Sequence, residues 1–308
     1  MEEISSKKIL VLLSTYNGEK YLEEQLQSLF AQKNVHIDIL VRDDGSTDST
    51  HQILDKYKNL GNLDWYTGEN LKPAKSFMDL VYKADSENYD YFAFCDQDDY
   101  WLDDKLAIAL EKLTTFDNDK PALYYGAPRL VDKDLNPLPQ PKKIYQHFDD
   151  FYSSLIITNA TGCTFVFNSK LLQLVQSSKT DFISMHDSWL FKVCSVFDGN
   201  FYFDKDVHIL YRQHGKNVIG INSSKKTTLI KHFKSLYQKN CIRSRTNFSL
   251  LKSYGNKIDK EKVYYLDLVS NYKTSFKKYI KLILIWKIRT HYIKRNVLFK
   301  IAVLFRCF

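Results

Sequence analysis

Glycine and proline are scarce in this sequence, with 10 and 6 among 308 residues, which excludes collagen-like repeats and proline-rich linkers. The five cysteines are scattered, and no two of them have CxxC spacing. We therefore expect reduced thiols, and neither a zinc ribbon nor a disulfide framework. The length suffices for one large domain or two modest domains without such staples.

Long apolar runs are absent as well. No stretch reaches the roughly 18 apolar residues of a membrane-spanning helix, and Ile9–Leu13 is too short for the core of a signal peptide. We therefore expect the active part of the protein to face the cytoplasm.

Acidic residues are nearly missing from the last quarter of the chain. Residues 225–308 hold 21 Lys and Arg against 3 Asp and Glu, and no acid follows Asp267. Residues 1–224 have the opposite balance, with 23 basic and 33 acidic residues. This asymmetry predicts a body over residues 1–224 and a basic region over residues 225–308 that meets an anionic partner.

Apolar periodicity predicts alternating strands and helices in the body. Lys8–Leu13, His36–Arg42 and Tyr91–Cys95 have the apolar runs or the alternation of buried strands. Segments with helical spacing separate them, and two later strands are expected at Cys163–Phe167 and Val207–Tyr211. This order predicts an α/β fold with a mainly parallel sheet, whose ligand crevice lies at the carboxyl ends of the strands.

The most specific polar cluster follows Tyr91–Cys95. Asp96, Asp98 and Asp99 place three carboxylates within four residues, and charges so close raise one another's pKa. A hard divalent cation, Mg²⁺ or Mn²⁺, would relieve this repulsion. A solvated acidic loop is the alternative, and the apolar residues on both sides argue against it.

Two further clusters follow the first two strands. Ser14–Gly18 offers hydroxyl groups and the aromatic face of Tyr16. Within Arg42–Asp48, one of the adjacent carboxylates Asp43 and Asp44 could accept a hydrogen bond from the N–H of a pyrimidine base on which Tyr16 stacks. An ordinary turn and a helix cap are the alternatives for these two segments.

The last two clusters lie further along the body. Asp187 falls in the first turn of a helix expected over His186–Phe197, where it could be a capping carboxylate or a general base for an acceptor hydroxyl. Tyr211–Asn217 contains Arg212, His214 and a glycine, a combination that could clamp an anion or form a loop of solvated charges.

Taken in order, the motifs STYNG, RDDGSTDST, CDQDDYW, NATGCT, MHDSW and YRQHGKNVIG resemble the inverting family 2 glycosyltransferases with the GT-A fold, above all their bacterial rhamnosyltransferase branch. The resemblance rests on six separated motifs and covers roughly residues 8–222. It implies a GT-A catalytic domain over residues 1–224, followed by a basic, aromatic-rich helical region over residues 225–308.

The resemblance also implies how the donor is bound. The matching positions are Ser14, Tyr16 and Asp44 for the base, Asp96 and Asp98 for the ribose and the diphosphate, and Arg212 and His214 for the loop that closes over the diphosphate. A divalent metal is expected at Asp98 and Asp99, with His214 in reach. Two registers of the DxD motif fit, and Asp98 belongs to both.

The acceptor side follows from the same resemblance. Asp187 matches the catalytic base, and the segment near the acceptor that floors the sugar pocket matches Asn159–Thr164, with Thr161, Gly162 and Trp189 as pocket residues. The chain departs from the family at Lys72, where members often have glycine. The QxxRW motif of processive relatives is absent, which favours a single-addition enzyme over a polymer synthase.

The expected function is therefore a metal-dependent, inverting transfer of a sugar, rhamnose from dTDP-rhamnose, to a hydroxyl of a lipid-linked saccharide in bacterial cell-surface polysaccharide synthesis. Two alternatives stay open. One is a hexosyltransferase of the glucose or galactose type that uses a UDP-sugar, and the other is a catalytically silent scaffold that binds nucleotide sugars.

The basic region combines cations with apolar side chains. Residues 271–308 carry ten Lys and Arg and no acid, interleaved with aromatic and aliphatic residues. Helices of this composition are typical of segments that lie on a membrane surface, where anionic lipid adds about 1 kcal/mol per basic residue. We expect peripheral association with the inner face of the cell membrane. A homodimer and packing onto the body are the alternatives, and no nucleic-acid partner is expected because no such motif is present.

Overall fold

A seven-stranded sheet forms the centre of the molecule in the computed structural model, which describes residues 7–140, 150–158, 160–214 and 229–308, and of residues 229–240 only the backbone. In chain order, the strands of these ranges are β1 (Lys8–Thr15), β2 (His36–Asp43), β3 (Asp64–Thr67), β4 (Tyr91–Asp96), β5 (Tyr100–Trp101), β6 (Ala122–Gly126), β7 (Arg129–Val131), β8 (Val166–Asn168), β9 (Asn200–Asp204) and β10 (Ile209–Arg212).

The large sheet has the strand order β3-β2-β1-β4-β8-β6-β9. Strands β1 to β4 are parallel, and β8 runs antiparallel to both of its neighbours, β4 and β6. The α/β class with a mainly parallel sheet, predicted from the sequence, is confirmed. A separate small sheet has the order β5-β10-β7 and carries the chain back beside the acidic segment that follows β4.

Helices pack on both faces of the large sheet. In chain order they are α1 (Leu22–Phe30), α2 (Thr50–Asn59), α3 (Lys72–Lys83), α4 (Lys105–Leu113), α5 (Phe151–Ser154), α6 (Ser169–Gln176), α7 (His186–Val196), α8 (Leu229–Tyr254), α9 (Lys260–Asn271), α10 (Phe276–Leu284) and α11 (Ile293–Leu304). Helices α1, α2 and α4 contribute to one apolar core, and α3, α6 and α7 contribute to the other.

Strand β1 is buried on both faces, as its nearly continuous apolar sequence predicts. Ile9 and Val11 belong to one core, whereas Leu10 and Leu12 belong to the other, because successive side chains of a strand point to opposite faces. A strand buried in this way lies in the interior of a parallel sheet with helices on both sides. Its central position places the end of β1 between the ends of two other strands.

Strand register aligns those ends. Ser14 of β1 pairs with Asp96 of β4, and Thr15 pairs with Asp43 of β2. The loops that leave β1, β2 and β4 therefore begin side by side at the carboxyl edge of the sheet. This is the crevice that the βαβ order predicts.

The C-terminal helices share a core with the body. Leu250, Tyr254 and Val269 are buried in the same apolar cluster as Phe92 and Phe94 of β4. Packing onto the body therefore accounts for part of the basic region. The division predicted at residue 224 stays a prediction, since residues 215–228 lie outside the described ranges. Among the helices that the structure describes, none has the length and apolar composition needed to cross a bilayer.

Lys72, the departure noted in the sequence, begins α3 in a left-handed backbone conformation with φ of 67°. This conformation favours glycine, because the Cβ of other L-residues approaches the carbonyl oxygen. The backbone N–H of Lys72 donates to Asp44 at 3.0 Å, so the strained turn holds that carboxylate. The geometry thus explains why glycine suits this position.

We expect Lys72→Gly to raise the free energy of unfolding by about 0.5–1 kcal/mol, because relief of the strain outweighs the greater freedom of the unfolded chain. Urea denaturation measures the change. Lys75→Gly is the matched control, since Lys75 is also exposed but lies inside the helix with an ordinary φ, and we expect a loss of up to about 1 kcal/mol there. Equal losses in the two variants would contradict the prediction.

Candidate active site

The loop after β1 is fixed by a residue that the sequence analysis did not select, Gln97. Its Oε1 accepts hydrogen bonds from the backbone N–H of Tyr16 at 2.8 Å and from the Thr15 hydroxyl at 2.6 Å. Its Nε2 donates to the carbonyl of Tyr16 at 3.2 Å. A Cβ on Gly18 would lie 2.6 Å from the same Oε1, so a larger residue there would displace the Gln97 amide. Gln97 therefore joins the loop after β1 to the acidic segment.

Tyr16 is 46% exposed, so one face of its ring is available for stacking. Ser14 is half-buried, and its hydroxyl lies 2.6 Å from that of Ser76. Both of these predicted base-binding residues lie at the crevice edge. The sequence offered one signal for Gln97, its place between the acids of CDQDD.

Asp44 is buried beneath this edge. Its Oδ1 is paired with the guanidinium of Arg42 and accepts the backbone N–H of Leu71, and its Oδ2 accepts that of Lys72. Both carboxylate oxygens of Asp44 therefore already have donors. The contact with a base that was predicted for Asp44 stays a prediction.

Asp43, its neighbour, is fully buried, and it is not among the positions that match the family's base-binding residues. Its Oδ2 accepts four hydrogen bonds, from Gly45, Ser46, His51 and Thr67. Although burial alone would raise the pKa of Asp43, these hydrogen bonds lower it. Its Oδ1 has no hydrogen-bond partner among the described residues. The two adjacent aspartates indicated that one carboxylate faces a ligand. Of these two residues, Asp43 is the one whose carboxylate has an oxygen without a hydrogen-bond partner among the described residues.

The acidic segment after β4 concentrates negative charge. Burial and repulsion from Asp98 raise the pKa of Asp96 to about 7, and the same two effects raise that of Asp99 well above its usual value. Asp99 is fully buried, and its Oδ2 has no hydrogen-bond partner among the described residues. Ligand atoms of Asp96, Asp99 and Cys163 lie within 4.8 Å of one another. Oxygen ligands with unbalanced charge suit a divalent cation.

Asp98 faces His214, whose Nε2 lies 2.7 Å from the Asp98 Oδ2. The His214 ring stacks on Tyr21 with 5.0 Å between centroids. The predicted metal residues Asp98 and His214 are thus brought together, and Tyr21, which sequence reasoning missed, packs against the imidazole. The two groups are hydrogen-bonded to each other in this structure, and a carboxylate and an imidazole are both ligand types for divalent cations.

Arg212 is buried and holds the acidic segment in place. Its backbone N–H donates to Asp99 Oδ1 at 3.1 Å, and its Nε donates to the carbonyl of Asp98 at 2.8 Å. The rest of the guanidinium contacts the carbonyl of Lys133 and the carboxylate of Glu24. These contacts connect Arg212 to the acidic segment, and the contact with a diphosphate that was predicted for Arg212 stays a prediction.

Lys105 is a second buried cation near these acids that was not selected. It is 1% exposed, and its Nζ has no hydrogen-bond partner in the described parts of the chain. The ammonium lies 3.1 Å from the ring centroid of Trp101, and burial lowers its pKa to about 7. The charge of Asp99 acts against burial and raises the pKa of Lys105, so the ammonium lies close to that carboxylate.

Asp187 lies in the first turn of α7, next to the 3₁₀ turn Gly162–Thr164. Burial raises the pKa of Asp187 to about 6, although hydrogen bonds from the backbone N–H groups of Ser188 and Gly162 oppose the shift. A Cβ on Gly162 would lie 3.1 Å from the Asp187 Cβ, so glycine is needed for this close approach. Asp187 and Asp96 are near enough for the charge of Asp187 to raise the pKa of Asp96.

The remaining residues predicted for the sugar pocket differ in their burial. Thr161 is half-buried beside Gly162, and Asn159 lies outside the described residues. Trp189 is fully buried in the core, with its ring 6.1 Å from that of Tyr254. The pocket contact predicted for Trp189 stays a prediction, and in this structure the side chain packs in the core. Its helical position points it into the protein, which the motif MHDSW alone does not reveal.

His186 packs among aromatic rings beside Asp187, and neither of its ring nitrogens has a hydrogen-bond partner among the described residues. It is buried, stacks on Phe77 with 4.0 Å between centroids and meets Phe94 edge to face at 4.8 Å. Burial lowers the pKa of His186 to about 3, so the imidazole is neutral at physiological pH. The crevice thus combines an acidic segment whose charges are unbalanced with the Asp187 carboxylate of raised pKa, a combination that suits a general base beside a charged ligand.

Comparison with known sequences agrees with this geometry. Residues 10–175 match the family described as Glycosyl transferase family 2. The chain is 33% identical over 235 residues to dTDP-rhamnosyl transferase RfbG of Shigella flexneri, a match that covers 70% of this chain and 75% of that protein.

Solved structures with the same fold are those of S. aureus TarS 1-349 in complex with UDP-GlcNAc and of the mannosyltransferase PcManGT from Pyrobaculum calidifontis in complex with GDP-Man and Mn²⁺. The match to TarS has a TM-score of 0.58 at 18% identity and covers 97% of this chain and 82% of the TarS chain. The match to PcManGT has a TM-score of 0.57 at 15% identity and covers 97% of this chain and 80% of PcManGT. The GT-A fold expected from the sequence is thereby confirmed.

Proposed function

Because this chain belongs to glycosyl transferase family 2, we propose that it moves a sugar from a nucleotide-diphosphate donor to a hydroxyl group of a saccharide, with inversion of the anomeric centre. The observation that carries this proposal is the convergence in one crevice of Asp98, His214 and Asp187, which lie far apart in sequence. A nucleotide-sugar-binding scaffold without activity would not need a carboxylate of raised pKa at Asp187.

We propose rhamnose as the transferred sugar and dTDP-rhamnose as the donor. The support is the 33% identity to dTDP-rhamnosyl transferase RfbG over 70% of this chain. A UDP-sugar is the second candidate donor, favoured by the fold shared with TarS in complex with UDP-GlcNAc. The acceptor that we propose is a lipid-linked saccharide of a bacterial cell-surface polysaccharide, met by the protein at the inner face of the cell membrane. Nucleic acid is not proposed as a partner, and a homodimer remains the alternative use of the basic region.

The donor base is held by the loops after β1 and β2. Tyr16 stacks on the base with its exposed ring face, and a carboxylate of the pair Asp43 and Asp44 accepts the N–H of the pyrimidine. Ser14 and Gln97 keep this loop in position. Asp96 accepts hydrogen bonds from the ribose, which suits a carboxylate at the end of β4.

Asp98, Asp99 and His214 would hold a divalent cation, Mg²⁺ or Mn²⁺, which when bound neutralises charge on the departing diphosphate. Arg212 keeps Asp98 and Asp99 in place through its hydrogen bonds to both residues. Asp187 takes the proton of the acceptor hydroxyl. The hydroxyl oxygen then attacks the face of the sugar opposite the diphosphate, which inverts the anomeric centre.

We expect Gln97→Ala to weaken donor binding about tenfold, because three hydrogen bonds that fix Tyr16 and Thr15 are lost at roughly 0.5–1.5 kcal/mol each. Calorimetric titration with the donor measures the change. Gln140→Ala is the matched control, because the Gln140 amide pairs in the same way with the backbone of Leu130, outside the crevice. A donor affinity equally changed in both variants would contradict a role of Gln97 in positioning Tyr16.

We expect kcat/KM to fall as the pH drops through about 6, because Asp187 accepts a proton only in its ionised form and burial raises its pKa to about that value. Above that pH the carboxylate is ionised and the rate reaches a plateau. A pH–rate profile tests this, with circular dichroism to show that the protein stays folded. An acid limb near pH 4, the ordinary range of an aspartate, would contradict the role of burial.

The experiment that tests the proposed function is a panel of dTDP- and UDP-sugars with Mg²⁺ or Mn²⁺, in which release of nucleotide diphosphate is measured. We expect release from dTDP-rhamnose above all other donors. Release from a UDP-sugar alone would favour the second candidate donor. Binding of donors without release of nucleotide from any of them would identify a scaffold and overturn the proposal.

A further inference from the structure

The last two helices expose an unusual amount of apolar surface. Of the fifteen large hydrophobic side chains that are exposed in the described residues, ten lie between residues 276 and 305. Single exposed apolar side chains are ordinary, but a contiguous patch marks an interaction surface. The most exposed are Phe276 at 71%, Leu284 at 66%, Trp286 at 81% and Ile293 at 80%.

Helical spacing arranges these side chains on one side of each helix. On α10, Phe276, Ile280 and Leu284 are spaced four residues apart and form a stripe, whereas Leu282 on the other side is buried. The stripe forms a shallow groove of about 590 Å³, whose lining also includes Lys277 and Lys281. The helix is therefore amphipathic, with one side packed on the protein and one side uncovered.

Helix α11 repeats this arrangement. Ile293, Val297 and Ile301 are exposed, while Phe299 and Val303 are buried against the core. The two helices are fixed to each other. The Tyr279 hydroxyl donates to the carbonyl of Leu304 at 3.0 Å, and the Lys300 ammonium donates to that of Leu282 at 2.9 Å. Trp286 lies in the connection between the helices, so the exposed side chains belong to one rigid pair.

Cations surround the uncovered side chains. Lys277, Lys281 and Lys294 are exposed, and none of them forms an ion pair with a carboxylate in the parts of the chain that the structure describes. No acidic residue follows Asp267 in the sequence. Exposed aliphatic and aromatic side chains beside lysines without carboxylate partners are typical of helices that lie at the boundary between lipid headgroups and acyl chains.

We propose that α10 and α11, with Trp286 between them, form the surface by which this protein docks on anionic lipid. This inference rests on the membrane association in the proposed function and assigns it to one helix pair. Charge argues against a second copy as the occupant, because two such faces would bring their lysines together with no acid in residues 271–308 to balance them. An anionic lipid surface supplies both the apolar layer and the opposite charge.

Vesicle sedimentation of the full chain tests the proposal. Vesicles of phosphatidylcholine are compared with vesicles that contain about one third phosphatidylglycerol. We expect binding to the anionic vesicles, weakened at least about tenfold by the combined substitutions Phe276→Ser, Leu284→Ser, Trp286→Ser and Ile293→Ser. The single variants Leu284→Ser and Leu60→Ser form a matched pair, because both leucines are 66% exposed and Leu60 lies on the body. Only Leu284→Ser should weaken binding.

A second set of variants separates charge from apolar contact. The combined substitutions Lys277→Gln, Lys281→Gln and Lys294→Gln should reduce binding to anionic vesicles and leave the weak binding to phosphatidylcholine unchanged. Undiminished binding of both variant sets would overturn the proposal. So would failure of the unaltered protein to bind anionic vesicles, and a concentration-dependent dimer that the serine variants abolish would then identify a second copy as the occupant.

Failure of this proposal is distinguishable from failure of the proposed function. Nucleotide release with a short soluble acceptor, measured without vesicles, should be the same in the serine variants and in the unaltered protein. Release without vesicle binding would overturn the docking surface alone. Vesicle binding without release from any donor would overturn the proposed transferase activity and leave the surface supported.

Discussion

Asp187→Asn is expected to lower turnover by about 10²–10⁴, the usual contribution of a general base, while donor affinity stays nearly unchanged. The amide has the size of the carboxylate but cannot take the proton of the acceptor hydroxyl. Single-turnover rates with a soluble acceptor and calorimetric titration of the donor measure the two quantities separately. Since the base acts on the acceptor, the loss should appear in kcat.

Asp181→Asn is the control for this experiment. Asp181 lies six residues before Asp187, is exposed and forms an ion pair with Lys252. We expect the Asp181 variant to retain normal turnover, because an exposed ion pair contributes little. Normal turnover of Asp187→Asn would show that another group removes the proton. An equal loss of donor affinity and turnover would instead point to a role in binding.

Asp98→Ala is expected to weaken the donor affinity measured with Mn²⁺ by about 10²-fold, because a cation on the diphosphate contributes several kcal/mol that the variant cannot gain. Without Mn²⁺, the variant and the unaltered protein should bind the donor equally weakly. Calorimetric titration of the donor, with Mn²⁺ and with a chelator, measures both affinities.

Two further variants sharpen this prediction. Asp103→Ala removes an exposed carboxylate that pairs with Lys33 just beyond the acidic segment, and it should leave the effect of Mn²⁺ intact. His214→Ala removes the partner of Asp98 and should reproduce part of the loss. Unchanged Mn²⁺-dependent binding in Asp98→Ala would contradict the assignment of Asp98 to the metal.

Parts of the fold that depend on local pattern could be predicted from the sequence. Strands β1, β2 and β4 have apolar runs or alternation that few other structures accommodate, and they lie within two residues of their predicted bounds. The strand predicted at Cys163–Phe167 begins only at Val166, because Gly162–Thr164 turns as a 3₁₀ helix to reach Asp187. Such a turn is set by a distant partner and leaves no periodic signal.

Short elements escaped prediction for a related reason. Strands β6 and β9 have five residues each and alternate weakly, and β7 has three residues. Their pairing partners are distant in sequence, so tertiary contact decides their conformation.

For the site, the sequence indicated the segments that meet in the crevice but not the orientation of single side chains. The DDG pattern could not tell Asp43 from Asp44. Their hydrogen bonds differ because Asp43 is the last residue of β2, whereas Asp44 lies just after it and contacts Arg42 and the start of α3. Arg212 and Trp189 carry polar or aromatic groups that suit a pocket. Their burial follows from contacts with Glu24 and Tyr254, which no local motif encodes.

The bridge that Gln97 makes between the loop after β1 and the acidic segment has a thermodynamic consequence. In the proposed function, a ligand that orders one of these segments would lower the entropy cost of ordering the other, so the nucleotide and the cation would bind cooperatively. Linkage requires the effect to be reciprocal: whatever factor the cation adds to nucleotide affinity, the nucleotide adds to cation affinity. A single glutamine would thereby couple recognition of the nucleoside to binding of the cation.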